Sequence, residues 1–181
     1  MPISGQGWEL LVERHGTHRH DGRARTCGAY RVFLDGIATD LQGMMCESLG
    51  PGDNRVEGNG KRLEAGRYPL ATQFGRRYVT QGYASADIAG REPMPGLLLM
   101  GTGNRTAIVL HPAHPPNLYL TSVGCLNPAR PLAAHEEIDF FDSRARVLAL
   151  IDSLRAFRPA AFAELRTTPI PGAAVVIEGE P

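Results

Sequence analysis

The sequence predicts a mainly β fold with one C-terminal helix, built on a mixed, mostly antiparallel sheet. Twenty-one glycines and fourteen prolines among 181 residues imply many turns and short strands rather than a helical bundle. Only one segment has the apolar spacing of an amphipathic helix. The length suits one well-cored domain, which we assign to residues 1–166, with an extended C-terminal tail at residues 167–181.

Short apolar runs bounded by glycine, proline or asparagine mark the strands. In chain order the predicted strands are residues 8–14, 28–34, 43–49, 67–72, 94–100, 107–111 and 118–120. Residues 75–92 form a long mixed segment between two of these strands. Loops of that length usually have a function, so we interpret the segment as a lid or a wall of a substrate site.

The predicted helix begins after Asp142 or Ser143, either of which can cap its N-terminus. Its apolar residues recur at helical spacing, which keeps one face apolar for packing on the sheet. These residues are Val147, Leu148, Ile151, Leu154 and Phe157. Arg158-Pro159 ends the helix, because proline cannot continue the backbone hydrogen bonds.

The charge balance excludes several classes of partner. Nineteen Lys or Arg residues match nineteen Asp or Glu residues, so no broad electrostatic field attracts nucleic acid or an anionic membrane.

No apolar run is long enough to span a bilayer. The first residues have neither the charged nor the apolar region of a general secretory signal, so we expect synthesis in the cytoplasm.

A histidine and a cysteine form the main candidate site. His111 ends an apolar run that reads as a buried strand, and Cys125 follows Gly124 fourteen positions later. A histidine within reach of a thiol can take its proton and leave a strong nucleophile. His114 is an alternative base, but His111 is preferred because the end of a strand holds a side chain more rigidly.

The residues around this pair read Ser122-Val-Gly124-Cys125-Leu126-Asn127, with His111 upstream. This pattern resembles the active-site signature of L,D-transpeptidase catalytic domains, which rebuild peptide cross-links in bacterial cell walls. Two features depart from the signature. Val123 stands where the family has a second histidine, and the spacer after His111 is shorter, which implies a trimmed loop.

A wider arrangement is similar to that of a group of small phage and bacterial domains. It comprises a two-strand unit at residues 47–49 and 62–70, an apolar strand at 95–99, the histidine and cysteine elements, and a terminal helix. This second resemblance covers about residues 8–157. Together the two resemblances imply a short variant of the transpeptidase domain.

The expected reaction is acyl transfer through a thioester, without metal or other cofactor. His111 deprotonates Cys125, which attacks an amide of a peptidoglycan peptide stem. The backbone N–H groups of Gly124 and Cys125 then hold the oxyanion, at about 3–4 kcal/mol per donor. By resemblance, Ser122 and Asn127 brace the loop, and a nearby backbone carbonyl orients the histidine. The catalytic candidates are therefore Cys125, His111, Gly124 and Ser122, and the substrate-binding candidates are Asn127, His114, Arg105 and Arg130.

The resemblance also implies partners and a place of action. Peptide stems lie in the periplasm or cell wall, which the chain would reach through phage lysis or a dedicated secretion system. An exported effector or toxin would also bind a secretion machinery and an immunity protein. Two other functions stay open: a catalytically inactive module that binds wall peptides or a phage partner, favoured by Val123, and another cysteine amidase or peptidase.

A second cluster of potential ligands lies at residues 15–20, where three histidines alternate with other residues. Such spacing can bind zinc, and Cys27 could join it. Neighbouring arginines disfavour a dication, so we predict a solvated hairpin loop and no metal. Cys27 and Cys46 are predicted to be small apolar core residues on neighbouring strands, and whether they form a disulfide stays open.

Overall fold

Residues 2–181, the part of the chain that the computed structural model describes, form ten strands, one α-helix and one short 3-10 helix. The strands are β1 Trp8–His20, β2 Arg23–Leu34, β3 Ile37–Glu47, β4 Gly66–Thr72, β5 Tyr78–Val79, β6 Met94–Pro95, β7 Leu97–Leu99, β8 Val109–Leu110, β9 Asn127–Ala129 and β10 Pro169–Glu178. The helix α1 is Phe140–Phe157, and the 3-10 helix is Pro159–Phe162.

Eight of the strands within residues 2–181 form one mixed sheet in the order β8-β7-β4-β10-β1-β2-β3-β9. The pairs within it are antiparallel except for β1 with β10. A parallel bridge between Leu110 and Leu126 joins the two ends, so the sheet curls into a nearly closed cylinder. This architecture confirms the prediction of a mainly β, mostly antiparallel fold with one helix.

The first hairpin is longer than the sequence suggested. β1 continues to His20, which pairs with Arg23 across a two-residue turn at Asp21 and Gly22. Both turn residues have positive φ, at 46° and 73°, as the twist of a tight hairpin requires. The three histidines of the possible zinc cluster therefore lie on a strand, and the predicted loop is wrong. Side chains alternate between the two faces of a strand, so residues 15–20 are partly exposed.

The segment predicted to be a tail is instead a central strand. β10 lies between β1 and β4, with Trp8 paired in parallel to Ala173 and Ile177 paired to Gly66. Residues 173–177 are all buried, because a central strand is covered on both faces. The domain boundary at residue 166 is therefore wrong, and the sheet requires residues 169–178.

The helix packs its apolar face on the sheet, as predicted, but begins three residues earlier. Asp139 caps it by accepting a hydrogen bond from the Asp142 N–H at 2.8 Å. Ser143 is buried within the helix, where its hydroxyl donates to the Pro128 carbonyl. Neither of the two predicted caps is correct, although the helix does end before Arg158. No helix within residues 2–181 is long and apolar enough to cross a bilayer.

The predicted strand at residues 118–120 is absent from the described structure. Tyr119 is fully buried there, but the Arg25 guanidinium donates to its carbonyl at 3.0 Å and the Tyr119 hydroxyl donates to the Ala134 carbonyl. These side-chain hydrogen bonds, with one backbone bond from the Ile138 N–H to the Leu118 carbonyl, hold the segment in place of a strand ladder. The apolar residues anchor the loop between β8 and β9 instead.

Replacing Ile177 with Ala tests the place of β10 in the core. The side chain is fully buried, so we expect the free energy of unfolding in urea to fall by about 2–5 kcal/mol. Leu165→Ala is the control, because Leu165 is 62% exposed, and should change stability by less than about 0.5 kcal/mol. Equal effects of the two substitutions would contradict a central β10.

Candidate active site

A groove of about 390 Å³ lies where the two ends of the sheet meet. One wall comes from the long segment at residues 75–92, and the other from the loop between β8 and β9. The groove is lined by Arg77, Tyr78, Gly90, Glu92, His111, His114, Pro115, Pro116, Asn117, Thr121, Val123 and Cys125. Both members of the predicted nucleophile and base pair, and the alternative base, therefore border one cavity.

The closure of the sheet brings His111 and Cys125 to this cavity. The His111 N–H donates to the Leu126 carbonyl at 3.0 Å, and the Leu126 N–H donates to the Val109 carbonyl at 3.1 Å. His111 directly follows β8 and Cys125 directly precedes Leu126. The same hydrogen bonds that close the sheet thus fix the backbone beside both side chains.

The cysteine loop is held by a buried serine. The Ser122 hydroxyl accepts a hydrogen bond from the Gly124 N–H at 2.9 Å and donates to the Cys125 carbonyl. Ser48 in turn donates its hydroxyl to the Ser122 carbonyl at 3.1 Å. Ser122 therefore braces the loop, and its hydroxyl is already engaged on both sides.

Arg105 supports the loop from inside the protein. It is 4% exposed, and its guanidinium donates to the Val123 carbonyl at 3.1 Å and to the Asp53 carbonyl at 3.4 Å. Gly124 has φ +126°, and a Cβ there would lie 1.7 Å from Nη2 of Arg105. Arg105 is therefore a buried brace of the loop, and both of its terminal guanidinium nitrogens donate to backbone carbonyls.

Two contacts fix the imidazole of His111, and a third holds its backbone. Its Nδ1 lies 2.8 Å from the Pro112 carbonyl, and the Asn127 amide donates to the His111 carbonyl at 2.9 Å. The Tyr78 ring stacks on the imidazole, with 4.2 Å between centroids and 26° between planes. Since a carbonyl only accepts, the neutral imidazole carries its proton on Nδ1. Nε2 has no hydrogen-bond partner among residues 2–181 and is left as the basic atom.

Burial keeps both reacting groups uncharged at neutral pH. It lowers the pKa of His111 to about 3, with smaller contributions from the charges of His114 and Arg77, against the hydrogen bond to Pro112. Burial also raises the pKa of the Cys125 thiol, although the Val109 N–H and Arg105 act in the opposite direction. The resting pair is thus a thiol and a neutral imidazole rather than an ion pair.

The polar partners of Cys125 differ from those predicted. Within residues 2–181, no hydrogen bond joins its Sγ to His111; Sγ instead accepts from the Val109 N–H at 3.4 Å and contacts the Ala107 carbonyl at 3.9 Å. We predicted that the Gly124 N–H would hold the oxyanion. That N–H instead donates to the Ser122 hydroxyl and is not available. The Cys125 N–H has no acceptor in this part of the chain and stays available.

The remaining candidates divide between the groove and other places. His114 lies in the groove, where its Nε2 is 2.9 Å from the Tyr78 hydroxyl. Val123 is 73% exposed at the groove. Asn127 is fully buried and donates to the His111 carbonyl. Arg130 is exposed outside the groove lining and donates to the Pro131 carbonyl, so its role in substrate binding stays a prediction.

Three groove residues were not identified from the sequence. Tyr78 covers the histidine, while Arg77 and Glu92 form an ion pair of 2.6 Å at the groove wall. The unusual length of the segment at residues 75–92 was the only signal for them. Pairing of β5 with β6 brings the side chains of this segment to the groove. Each of these strands has only two residues, which is too short to give a recognisable pattern in the sequence.

Comparison of the chain with models of protein families, with curated proteins and with solved structures finds no match.

Replacing Gly124 with Ala tests how tightly the loop is packed on Arg105. The added Cβ meets the guanidinium and the backbone adopts a φ that side chains rarely tolerate, so we expect a loss of about 2–5 kcal/mol in unfolding free energy. Gly58→Ala is a matched control, with φ +67° but open space around the new Cβ, and should cost about 1 kcal/mol. Similar losses for both variants, measured in urea, would show that Arg105 does not restrict the loop.

The lowered pKa of His111 predicts acid destabilisation. Between pH about 3 and 6.5 the unfolded histidine binds a proton that the folded one does not. The contribution to stability is therefore complete above pH 6.5 and is lost as the pH falls towards 3, by up to about 5 kcal/mol. We expect the free energy of unfolding, measured in urea at pH values from 3 to 7, to rise less steeply with pH for His111→Gln than for the wild type. Parallel slopes would mean that the histidine titrates normally.

Proposed function

We propose that the chain catalyses cysteine-dependent acyl transfer on peptidoglycan peptide stems, of the L,D-transpeptidase or L,D-carboxypeptidase type. One observation carries the proposal: Cys125 and His111 border the same groove, and the hydrogen bond from Nδ1 to the Pro112 carbonyl leaves Nε2 as a base. The resemblance of residues 122–127 to the transpeptidase signature supplies the substrate class.

In the proposed reaction, Sγ of Cys125 attacks a stem amide carbonyl while Nε2 of His111 takes the thiol proton. The imidazolium then gives that proton to the departing amine of the terminal D-amino acid. The resulting thioester reacts with an acceptor amine to form a cross-link or with water to complete hydrolysis. Since the low pKa of His111 makes it a weak base, the imidazolium exists only transiently and acylation is slow.

The Cys125 N–H is the proposed oxyanion donor, because it has no acceptor within residues 2–181. The Tyr78 hydroxyl is a second neutral donor in the groove, since burial raises its pKa well above the usual value. It bonds His114 at 2.9 Å in the resting protein and would have to exchange that partner. Such donors act strongly in a groove that excludes water.

Charges of both signs at the groove wall suit the proposed substrate. Arg77 and Glu92 pair with each other, and both are partly exposed at their side chains, at 60% and 40%. A peptide stem carries carboxylates and, at its branched residue, an amine. The pair would therefore open to bind these groups, at a small cost because exposed ion pairs contribute only about 0–1 kcal/mol.

The proposed reaction occurs where peptide stems occur, in the periplasm or cell wall. The route is phage lysis or a dedicated secretion system, as the sequence resemblance implies. In the second case the partners include that secretion machinery and an immunity protein that protects the producing cell.

The activity is tested by incubating the protein with peptidoglycan fragments that carry tetrapeptide stems and reading the products by mass spectrometry. We expect release of terminal D-Ala, none with Cys125→Ala, and a rate lower by about 10²–10⁴-fold with His111→Ala, which lacks the placed base. His135→Gln is a matched histidine control, exposed and outside the groove, and should act as the wild type. Val123→His restores the residue of the signature and should raise the rate or the affinity.

A second function, binding without catalysis, is favoured by two contacts. Sγ of Cys125 has no hydrogen bond to His111, and the Gly124 N–H is bonded to Ser122. A binding module would retain wall peptides in the groove, lose affinity when Tyr78 is replaced with Ala, and leave all stem fragments unchanged. Unchanged fragments with folded wild-type protein and with Val123→His would exclude the catalytic proposal and favour this one.

A further inference from the structure

Two further cysteines lie side by side on the opposite strands of a hairpin. Cys27 of β2 and Cys46 of β3 are register partners, and their sulfurs are 3.7 Å apart. Both thiols are free and buried, so the structure shows them as a reduced pair. Register partners on antiparallel strands have Cα atoms about 4.5–5.5 Å apart, within the range that a disulfide spans. Only a short approach of the two sulfurs separates the dithiol from a disulfide.

A cavity of about 370 Å³ opens beside one of these thiols only. Cys27 lines it together with His15, Gly16 and His18, whereas Cys46 is fully buried beneath. Gly16 is the register partner of Cys27 on β1, and a Cβ at Gly16 would meet no atom within 4 Å. The glycine thus leaves open space on β1 at the register position opposite Cys27.

We propose that Cys27 and Cys46 form a redox-active dithiol that reduces small disulfides of the glutathione type, with Cys27 attacking from the cavity and Cys46 resolving. The site shares no lining residue with the groove around Cys125 and does not depend on the proposed acyl transfer.

The reaction consists of two thiol–disulfide exchanges. The Cys27 thiolate attacks one sulfur of the small disulfide, the S–S bond breaks, and one thiolate leaves and takes a proton from water. Cys46 then loses its proton and attacks the Cys27 sulfur of the mixed disulfide, which releases the second small thiol. The dithiol is oxidised to a disulfide by two electrons, and one small disulfide is reduced to two thiols.

The electrostatics assign the same roles. A hydrogen bond from Cys46 lowers the pKa of Cys27, and the charge of Arg25 lowers it further, while burial opposes both. The same hydrogen bond raises the pKa of Cys46, and burial adds to this effect. Arg25 is fully buried on the same face of β2, two residues from Cys27. The thiol that borders the cavity is therefore the first to ionise, as an attacking thiol must be.

The test uses Cys125→Ala protein, so that only the dithiol can react, with oxidised glutathione as the probe. After digestion without reductant, mass spectrometry should show the peptides of Cys27 and Cys46 joined, with two equivalents of reduced glutathione released. Adding Cys46→Ser should stop the reaction at one glutathionyl group on Cys27. Adding Cys27→Ser should leave Cys46 unreacted, because it does not border the cavity.

A steric variant tests the role of the cavity in protein that keeps both thiols. Gly16→Val fills the space on β1 opposite Cys27, and we expect oxidation by glutathione disulfide to slow by about tenfold, since access to the thiol controls the rate. Far-UV circular dichroism checks that each variant is folded. The proposal is overturned if folded Cys125→Ala protein keeps both thiols free in the presence of oxidised glutathione. It is also overturned if adding Cys27→Ser does not slow the reaction with oxidised glutathione, or if Gly16→Val does not slow it.

Discussion

The parallel contact between Leu110 and Leu126 joins the two ends of an eight-stranded sheet, and the candidate site exists because of it. Both leucines are fully buried in the main apolar core, so the contact is stabilised by burial as well as by backbone hydrogen bonds. Without it, β8 and β9 would each expose an unpaired edge. His111 and Cys125 are adjacent in the chain to these two leucines. Closure of the sheet therefore also brings the two site residues to the same groove.

The loop before β9 is held mainly through its backbone. Arg105 bonds the carbonyl of Val123, and Ser122 bonds the N–H of Gly124 and the carbonyl of Cys125. Any residue at position 123 can offer that carbonyl, so its side chain is free to face solvent, as Val123 does. A histidine or a valine is thus compatible with the same loop geometry. Gly124 is different, because its lack of a side chain admits the guanidinium.

Local patterns predicted much of this fold, because most pairs in the sheet come from strands with clear apolar runs. The first parts of β1 and β2 and most of the buried face of α1 follow from residue spacing, although β1 runs on to His20 and the face includes Leu150 in place of Leu148. β10 was missed because residues 167–172 have the prolines and glycine of a tail, and nothing local reveals that residues 173–177 enter the sheet between β1 and β4. Parallel pairing between chain ends is a long-range contact that periodicity does not encode.

The candidate site was predicted only in part, for a related reason. His111 and Cys125 were identifiable because a strand end and a glycine turn are local signals. The burial of Arg105 was not predicted, because arginine is usually exposed and this burial depends on carbonyls supplied by two distant loops. Tyr78 was missed because its stacking on His111 depends on how a long loop folds back. Residue types thus indicated the chemistry, whereas tertiary contacts decided which side chains bind and which support.

The two cysteine sites differ in what decides the ionisation of the thiol. At Cys125 burial outweighs the nearby Arg105, whose donors are taken by backbone carbonyls, and the pKa of the thiol rises. At Cys27 the hydrogen bond from a second thiol outweighs burial, and the pKa falls. A thiol of the first kind needs a base to react at neutral pH, and His111 borders the same groove. A thiol of the second kind has a lowered pKa, and Cys46 lies next to it as a resolving partner.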